Sequence, residues 1–151
     1  MSSENKPIQA SIIIEVAGRP PEHLIETIKD IIEKLSQEKG VKIINQKIHD
    51  TVLLPNQKDF YTTFTELEIS TETLEILSQI ILKYMPSHLE IISPKSISIK
   101  SHEVNEIFGE VIKKIHTYDE TARIIQTQKI QMEKKLKELK ELLPKDNSGG
   151  K

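Results

Sequence analysis

Residues 8 to 40 read IQASIIIEVAGRPPEHLIETIKDIIEKLSQEKG, and their hydrophobic period changes halfway along. Up to Val16 the stretch is dense in β-branched residues, which predicts a buried strand. Gly18-Arg19-Pro20-Pro21 then interrupts the strand, and proline suits the first turn of a helix because no intrahelical hydrogen bond is lost there. The next apolar residues share one stripe at helical spacing, namely Leu24, Ile25, Ile28, Ile31, Ile32 and Leu35. We therefore expect a helix over residues 21–38, followed by a left-handed cap at Gly40.

A predicted hairpin follows this first strand and helix. β-branched residues return from Val41 to Val52, and a second alternating run extends from Phe60 to Ile69. Between the two runs, residues 55–59 read PNQKD, which is turn chemistry. The sequence therefore predicts two antiparallel strands joined by a loop of several residues.

A second helix and a fourth strand are predicted next. The helix covers residues 72–85, with Ser70 or Thr71 as its N-cap and Pro86 as its end. The strand covers residues 88–92, and Ile97 and Ile99 are candidates for its continuation along a sheet edge.

The resulting order, β-α-β-β-α-β within residues 8–100, predicts an α+β body of the ferredoxin-like class. We expect an antiparallel sheet of four strands with both helices on one face, because each helix has a single apolar stripe. The other face of the sheet is left without cover. Something must shield that face, or it must bind something.

A long helix is predicted over residues 101–143, with Ser101 as its N-cap. Twelve positions at alternating spacings of four and three form what we call the seam, and eleven of them are apolar. The seam consists of Val104, Phe108, Val111, Ile115, Tyr118, Ala122, Ile125, Lys129, Met132, Leu136, Leu139 and Leu143. A 3.5-residue repeat of this length predicts a coiled coil.

The second half of the seam is the expected dimer interface, since the body has no further element long enough to cover it. Its residues are Ile125, Lys129, Met132, Leu136, Leu139 and Leu143. Lys129 is the polar exception, and a single lysine at a seam position can fix register and oligomeric state. The first half, up to Tyr118, either packs on its own sheet or joins the pair. The direction of pairing stays open, because a parallel dimer places Lys114 near Asp119 but Lys135 near Lys140.

The two ends of the chain are expected to be disordered, residues 1–7 as a polar leader and residues 144–151 as a tail. No apolar run approaches the roughly 18 residues of a membrane span, so we expect no membrane segment. The leader lacks the pattern of a signal or transit peptide, which makes the cytoplasm the default location. Lysine outnumbers arginine 19 to 2 and isoleucine occurs 25 times, a bias that suggests an archaeal genome.

Charge is distributed unevenly along the chain. Residues 1–125 hold 14 Lys and Arg against 19 Asp and Glu, whereas residues 126–151 hold 7 against 4. Because phosphate backbones are attracted by clustered positive charge, the acidic body is a poor nucleic-acid surface. Only the basic tail leaves nucleic-acid binding open.

Motifs that carry catalysis are missing from the sequence. With no cysteine there is no disulfide, thiolate metal site or thiol nucleophile. The five histidines form no HExxH pair, and no glycine-rich phosphate loop or G-x-S-x-G is present. We therefore expect a protein that is not an enzyme and that has no metal site and no cofactor.

Two short stretches resemble known families that share the β-α-β-β-α-β order. Residues 58–64, KDFYTTF, resemble the third-strand signature of the RNA-recognition motif, with Asp59 where that motif has glycine and Ile13 where its first strand has an aromatic. The resemblance implies base contacts by Phe60, Tyr61 and Phe64, which are the candidate contact residues of the sheet face.

The turn after the first strand resembles that of ACT regulatory domains. Residues 18–24, GRPPEHL, are similar to the Asp-Arg-Pro-Gly turn and helix start of those domains, with Pro21 at the position of the ligand-contacting glycine. The resemblance implies a small-molecule site formed by Gly18, Arg19, Pro20, Pro21 and His23. Neither resemblance is specific enough to assign the chain to either family.

The sequence as a whole predicts a non-enzymatic interaction or assembly module that dimerises through its C-terminal coiled coil and can also contact a protein partner. Two alternatives are an ACT-like sensor of small molecules and an RNA- or ribosome-associated factor.

Overall fold

A computed structural model describes residues 6–144 and shows an α+β protein with an antiparallel sheet of five strands and, within those residues, three helices. The elements are β1 (Ile8–Gly18), α1 (Pro21–Ser36), β2 (Val41–Ile48), β3 (Val52–Leu53), β4 (Tyr61–Thr71), α2 (Leu74–Tyr84), β5 (His88–Ser93) and α3 (Ser101–Leu142). Residues up to Ile107 form one compact unit, and those from Phe108 form a second. Most of the predicted leader and tail, residues 1–5 and 145–151, lies outside the described residues.

The strands are arranged in the order β2-β4-β1-β5, with every neighbouring pair antiparallel. The short β3 pairs with the start of β4. In the centre of the sheet Ile12 lies opposite Leu67 on one side and Leu89 on the other. The longest strands, β1 and β4, are therefore paired over their whole length in the middle of the sheet.

Strict alternation along the two central strands defines one buried face of the sheet. On β1 the buried residues are Ile8, Ala10, Ile12 and Ile14, and on β4 they are Thr63, Thr65, Leu67, Ile69 and Thr71. The helices bury Leu24, Ile28, Ile32 and Leu35 of α1 and Leu77 and Ile80 of α2. These strand and helix residues, with the exception of Leu24 and the threonines, belong to one hydrophobic cluster, so this face carries the core.

Several boundaries differ from the sequence-based expectation because side chains take over backbone hydrogen bonds. The expected strand from Val41 to Val52 breaks after Ile48, where the Thr63 hydroxyl donates to the His49 carbonyl (2.6 Å). Helix α2 starts at Leu74, because the Thr73 hydroxyl, and not Ser70 or Thr71, caps it by accepting from the Ile76 amide (3.2 Å). Both of those residues belong to β4.

The connection between β5 and α3 also differs from the expectation. Ile97 and Ile99 form no strand, although Ile97 packs against the core. Ser101 lies within α3 and does not cap it. The Glu103 carboxylate instead accepts from the Lys100 amide (2.8 Å), so a glutamate in the first turn satisfies the start of the helix.

Glu38 ties the end of α1 to the end of α2. Its carboxylate accepts hydrogen bonds from the Lys83 ammonium and from the Tyr84 hydroxyl (2.7 Å). These donors, Lys83 first, hold the pKa of Glu38 below its ordinary value. Burial and the bond to Glu38 raise the pKa of Tyr84 to about 12. The phenol is thus kept neutral in the folded state.

We expect Gly40→Ala to destabilise the unit by about 1 to 2 kcal/mol, because Gly40 has a φ of +78° that L-residues adopt at a cost. A Cβ there would also lie 2.6 Å from Ile76 Cδ1. Urea unfolding followed by circular dichroism measures the change. Gly109→Ala is the control: nothing lies within 4 Å of a Cβ at this helical position, so no destabilisation is expected. Equal midpoints for Gly40→Ala and the wild type would contradict this account of the turn.

We expect Tyr84→Phe to cost roughly 1 kcal/mol of stability at neutral pH through the lost hydrogen bond. The folded phenol keeps its proton to a higher pH than the unfolded one, so the wild-type advantage should shrink as pH rises from 10 towards 12. Urea unfolding at a series of alkaline pH values tests this, with Tyr61→Phe as the matched loss of a phenol hydroxyl. A difference between wild type and Tyr84→Phe that does not change with pH would refute it.

Candidate functional site

From Phe108 onward the seam is exposed except at Val111, which is half-buried, and its last residue, Leu143, lies one position past the end of α3. The exposed fraction of its large apolar residues ranges from 45% at Tyr118 to 70% at Met132. The others are Phe108, Ile115, Ile125, Leu136, Leu139 and Leu143. No residue of α3, all of which belongs to the described part of the chain, is buried. Exposed apolar side chains thus recur on one stripe over more than four heptads.

The centre of the seam forms a shallow depression of about 290 Å³. It is lined by Ile125, Gln128, Lys129, Met132, Glu133 and Leu136. Within the helix the Lys129 ammonium lies 4.0 Å from the Glu133 carboxylate, and Arg123 lies 3.0 Å from Asp119. Charged groups therefore flank an apolar floor, which is the arrangement of a helix that receives another helix.

The energy available from covering this surface is large. Complete burial of one leucine, isoleucine or methionine side chain is worth about 1.5 to 3 kcal/mol. Most helical stability in proteins comes from packing of an apolar face. All six residues predicted for the interface, Ile125, Lys129, Met132, Leu136, Leu139 and Leu143, lie on this one face by their spacing. The chemistry of the surface suits an apolar, helical partner.

The predicted ligand turn connects β1 to α1. Gly18 is the last residue of β1, Pro20 is the N-cap of α1 and Pro21 its first residue. The His23 amide donates to the Pro20 carbonyl (3.1 Å), and the side chains of Arg19 and His23 are exposed. Three cavities of about 290 to 360 Å³ are lined by other residues. The turn groups its residues in sequence but contributes to none of these cavities.

The three aromatic residues predicted for the sheet face do not form one surface. Phe60 precedes β4, and its carbonyl accepts from the Leu54 amide (2.8 Å). Tyr61 and Phe64 are three residues apart on the same strand, so they point to opposite faces of the sheet. Only Phe64 lies on the face that the helices leave open, opposite the buried residues of β4.

Phe64 belongs to a small cluster whose other members the sequence did not single out. The His49 ring stacks on Phe64 with centroids 4.0 Å apart, and its Nε2 lies 2.7 Å from the Glu66 carboxylate. The hydrogen bond from His49 lowers the pKa of Glu66. The alternation of β4, which puts Phe64 and Glu66 on one face, was the available signal. His49 joins them because its amide donates to the Phe64 carbonyl (3.0 Å).

Residues 6–144 lack two kinds of feature. They contain no group of three or more His, Cys, Asp or Glu residues that could hold a metal ion. None of the helices in this part of the chain combines the length and the apolar character that crossing a bilayer requires.

Comparison with known proteins gives one family. The model of the MJ0538 family matches residues 9–145. A relative from the archaeon Methanocaldococcus jannaschii, described as "Uncharacterized protein MJ0538", is 22% identical over 117 residues. The match covers 78% of the chain and 44% of the relative, so the chain spans less than half the length of that protein. No solved structure matches the chain significantly.

Proposed function

Since the chain belongs to the MJ0538 family, whose archaeal relative carries no assigned activity, we propose from the geometry that it is a non-enzymatic interaction module. Its task is assembly: α3 pairs with α3 of a second copy along the seam, and the resulting homodimer contacts a protein partner. The proposal extends to a cytoplasmic location and to the absence of any cofactor or catalytic site.

The exposed seam is the observation that supports this function. A contiguous apolar stripe on a monomer typically marks an interaction surface, whereas scattered apolar residues do not. Here Phe108 and Leu143 are 60% and 66% exposed at its two ends, with exposed apolar residues between them. The turn at residues 18–23 and the aromatics at residues 60–64 gather no comparable surface, which is why we favour assembly over ligand sensing or RNA binding.

The proposal includes two finer structural assignments. The body is taken as ferredoxin-like, which the order β2-β4-β1-β5 and the antiparallel pairing support once β3 is regarded as an interrupted extension of β2. The helix is taken as one strand of a coiled coil, which its 3.5-residue repeat supports. The open sheet face, with His49, Phe64 and Glu66, is then available to a different partner.

The double variant Leu136→Asp/Leu139→Asp should convert a dimer to a monomer. Two carboxylates in the buried centre of a helix pair lose apolar burial and must give up hydration, so the dimer dissociation constant should rise by more than a hundredfold. Sedimentation equilibrium of the full chain measures the mass directly.

Thr127→Asp/Ile130→Asp is the matched control for that variant. It introduces the same two charges at the same spacing on the opposite face of α3, and Ile130 is as exposed as the seam residues (56%). The control should remain a dimer. A wild-type chain that sediments as a monomer at high micromolar concentration, or a seam variant that keeps the dimer mass, would end the proposal.

A further inference from the structure

We infer that the two copies of α3 pair in antiparallel orientation, in one register centred between Ile130 and Gln131. This inference rests on the proposed self-association and assigns its geometry. In that register Lys129 faces Met132 of the partner subunit and Ile125 faces the partner's Leu136. Further out, Ala122 faces the partner's Leu139. The paired stretch runs from Tyr118 to Leu143 and leaves the earlier seam positions outside it.

Apolar burial does not select the orientation, because the seam residues from Tyr118 to Leu143 are buried alike whether the two helices run parallel or antiparallel over this stretch. Charged residues at and beside the seam select the orientation instead. Three of them, Asp119, Glu133 and Lys140, each directly follow a seam residue and so lie on one flank of the paired stretch. Lys129 lies on the seam beside that flank. The opposite flank carries Thr121, Gln128 and Lys135.

The antiparallel register brings opposite charges together on the first flank. Lys129 lies level with Glu133 of the partner subunit, to within one residue's rise of about 1.5 Å. Asp119 lies within two residues' rise of the partner's Lys140, a gap that a lysine side chain spans. Symmetry repeats both pairs, giving four favourable contacts. On the other flank the neutral Gln128 meets Lys135, so no like charges face each other.

Other arrangements put like charges together. In the parallel pair Lys129 faces Lys129 of the partner subunit across the apolar core, and Lys135 lies near the partner's Lys140. Shifting the antiparallel register by one heptad towards the N-terminus brings Asp119 near the partner's Glu133. Shifting it by one heptad towards the C-terminus brings Lys135 near the partner's Lys135. A shift of two heptads towards the N-terminus brings Lys114 to Lys135.

The surface at the centre of the register fits this arrangement. The depression of about 290 Å³ lined by Ile125, Lys129, Met132 and Leu136 lies on the proposed two-fold axis. The aliphatic part of each Lys129 side chain can therefore pack on the partner's Met132, which is 70% exposed in the single chain. The ammonium group then reaches the partner's Glu133. Within one helix the Lys129 ammonium lies 4.0 Å from the Glu133 carboxylate, so both charges extend to the same side of the seam.

Cysteine cross-linking tests the orientation, because the chain has no cysteine of its own. Ile125→Cys and Leu136→Cys are prepared separately, mixed in denaturant, refolded and oxidised. The inference predicts a disulfide between the two different variants and none within either variant alone. Identical positions would be about 16 Å apart, at eleven residues of 1.5 Å, and a disulfide needs Cα atoms within about 7 Å.

Other orientations and registers give different cross-linked products. Disulfides within each single variant would show a parallel pair and overturn the inference while leaving self-association intact. Cross-linking of an Ala122→Cys and Ile125→Cys mixture, without the Ile125–Leu136 product, would show an antiparallel pair in a different register and would also overturn it. A wild-type chain that is monomeric would remove the proposed function itself.

Lys140→Glu adds a test for which the antiparallel and the parallel pair predict opposite changes in the dimer dissociation constant. In the antiparallel register it places glutamate near the partner's Asp119, so the dimer dissociation constant should rise roughly threefold to tenfold. In a parallel pair it would relieve the contact with Lys135 and lower that constant. Lys137→Glu, the same change in the same turn on the outer face, is the control and should have little effect. Tighter dimerisation by Lys140→Glu would overturn the inference.

Discussion

Removal of apolar side chains from water builds the core of one part of this protein, whereas no residue of α3 is buried. In the unit that ends at Ile107, the inward residues of β1 and β4 meet the stripes of α1 and α2, and Ile12, Ile28 and Leu67 are almost fully buried. Along α3 the same residue types recur with the same regularity and stay exposed. Because the hydrophobic term dominates both folding and association, the uncovered seam is where the molecule can still gain free energy.

The body was largely predictable because its patterns have only one physical solution. Alternation over residues 8–16 requires a half-buried strand, and the stripe that includes Leu24 and Leu35 requires a helix against it. The termini of these elements were less predictable, since they depend on side chains from distant positions. Thr63 ends β2 by binding the His49 carbonyl, and nothing in the local sequence around His49 signals this.

The candidate surfaces also differ in whether they could be predicted from the sequence. The seam was predictable, because its period is a property of consecutive residues and needs no tertiary information. The grouping of His49, Phe64 and Glu66 was not, because it depends on the register between β2 and β4 across the hairpin. The face to which Tyr61 points was predictable, by contrast, because Tyr61 alternates in phase with Leu67 and Ile69 along β4.

Lys129 shows why a coiled-coil pattern alone does not define an assembly. Its charge interrupts an apolar row and so lowers the stability of a helix pair. In return, such a residue raises specificity by disfavouring competing arrangements. Between two parallel helices repulsion adds to this cost, since two ammonium groups share one layer. Between antiparallel helices each ammonium meets a carboxylate, so the same residue disfavours one orientation and stabilises the other. One lysine and one glutamate four residues later thus carry directional information that the eleven apolar seam residues lack.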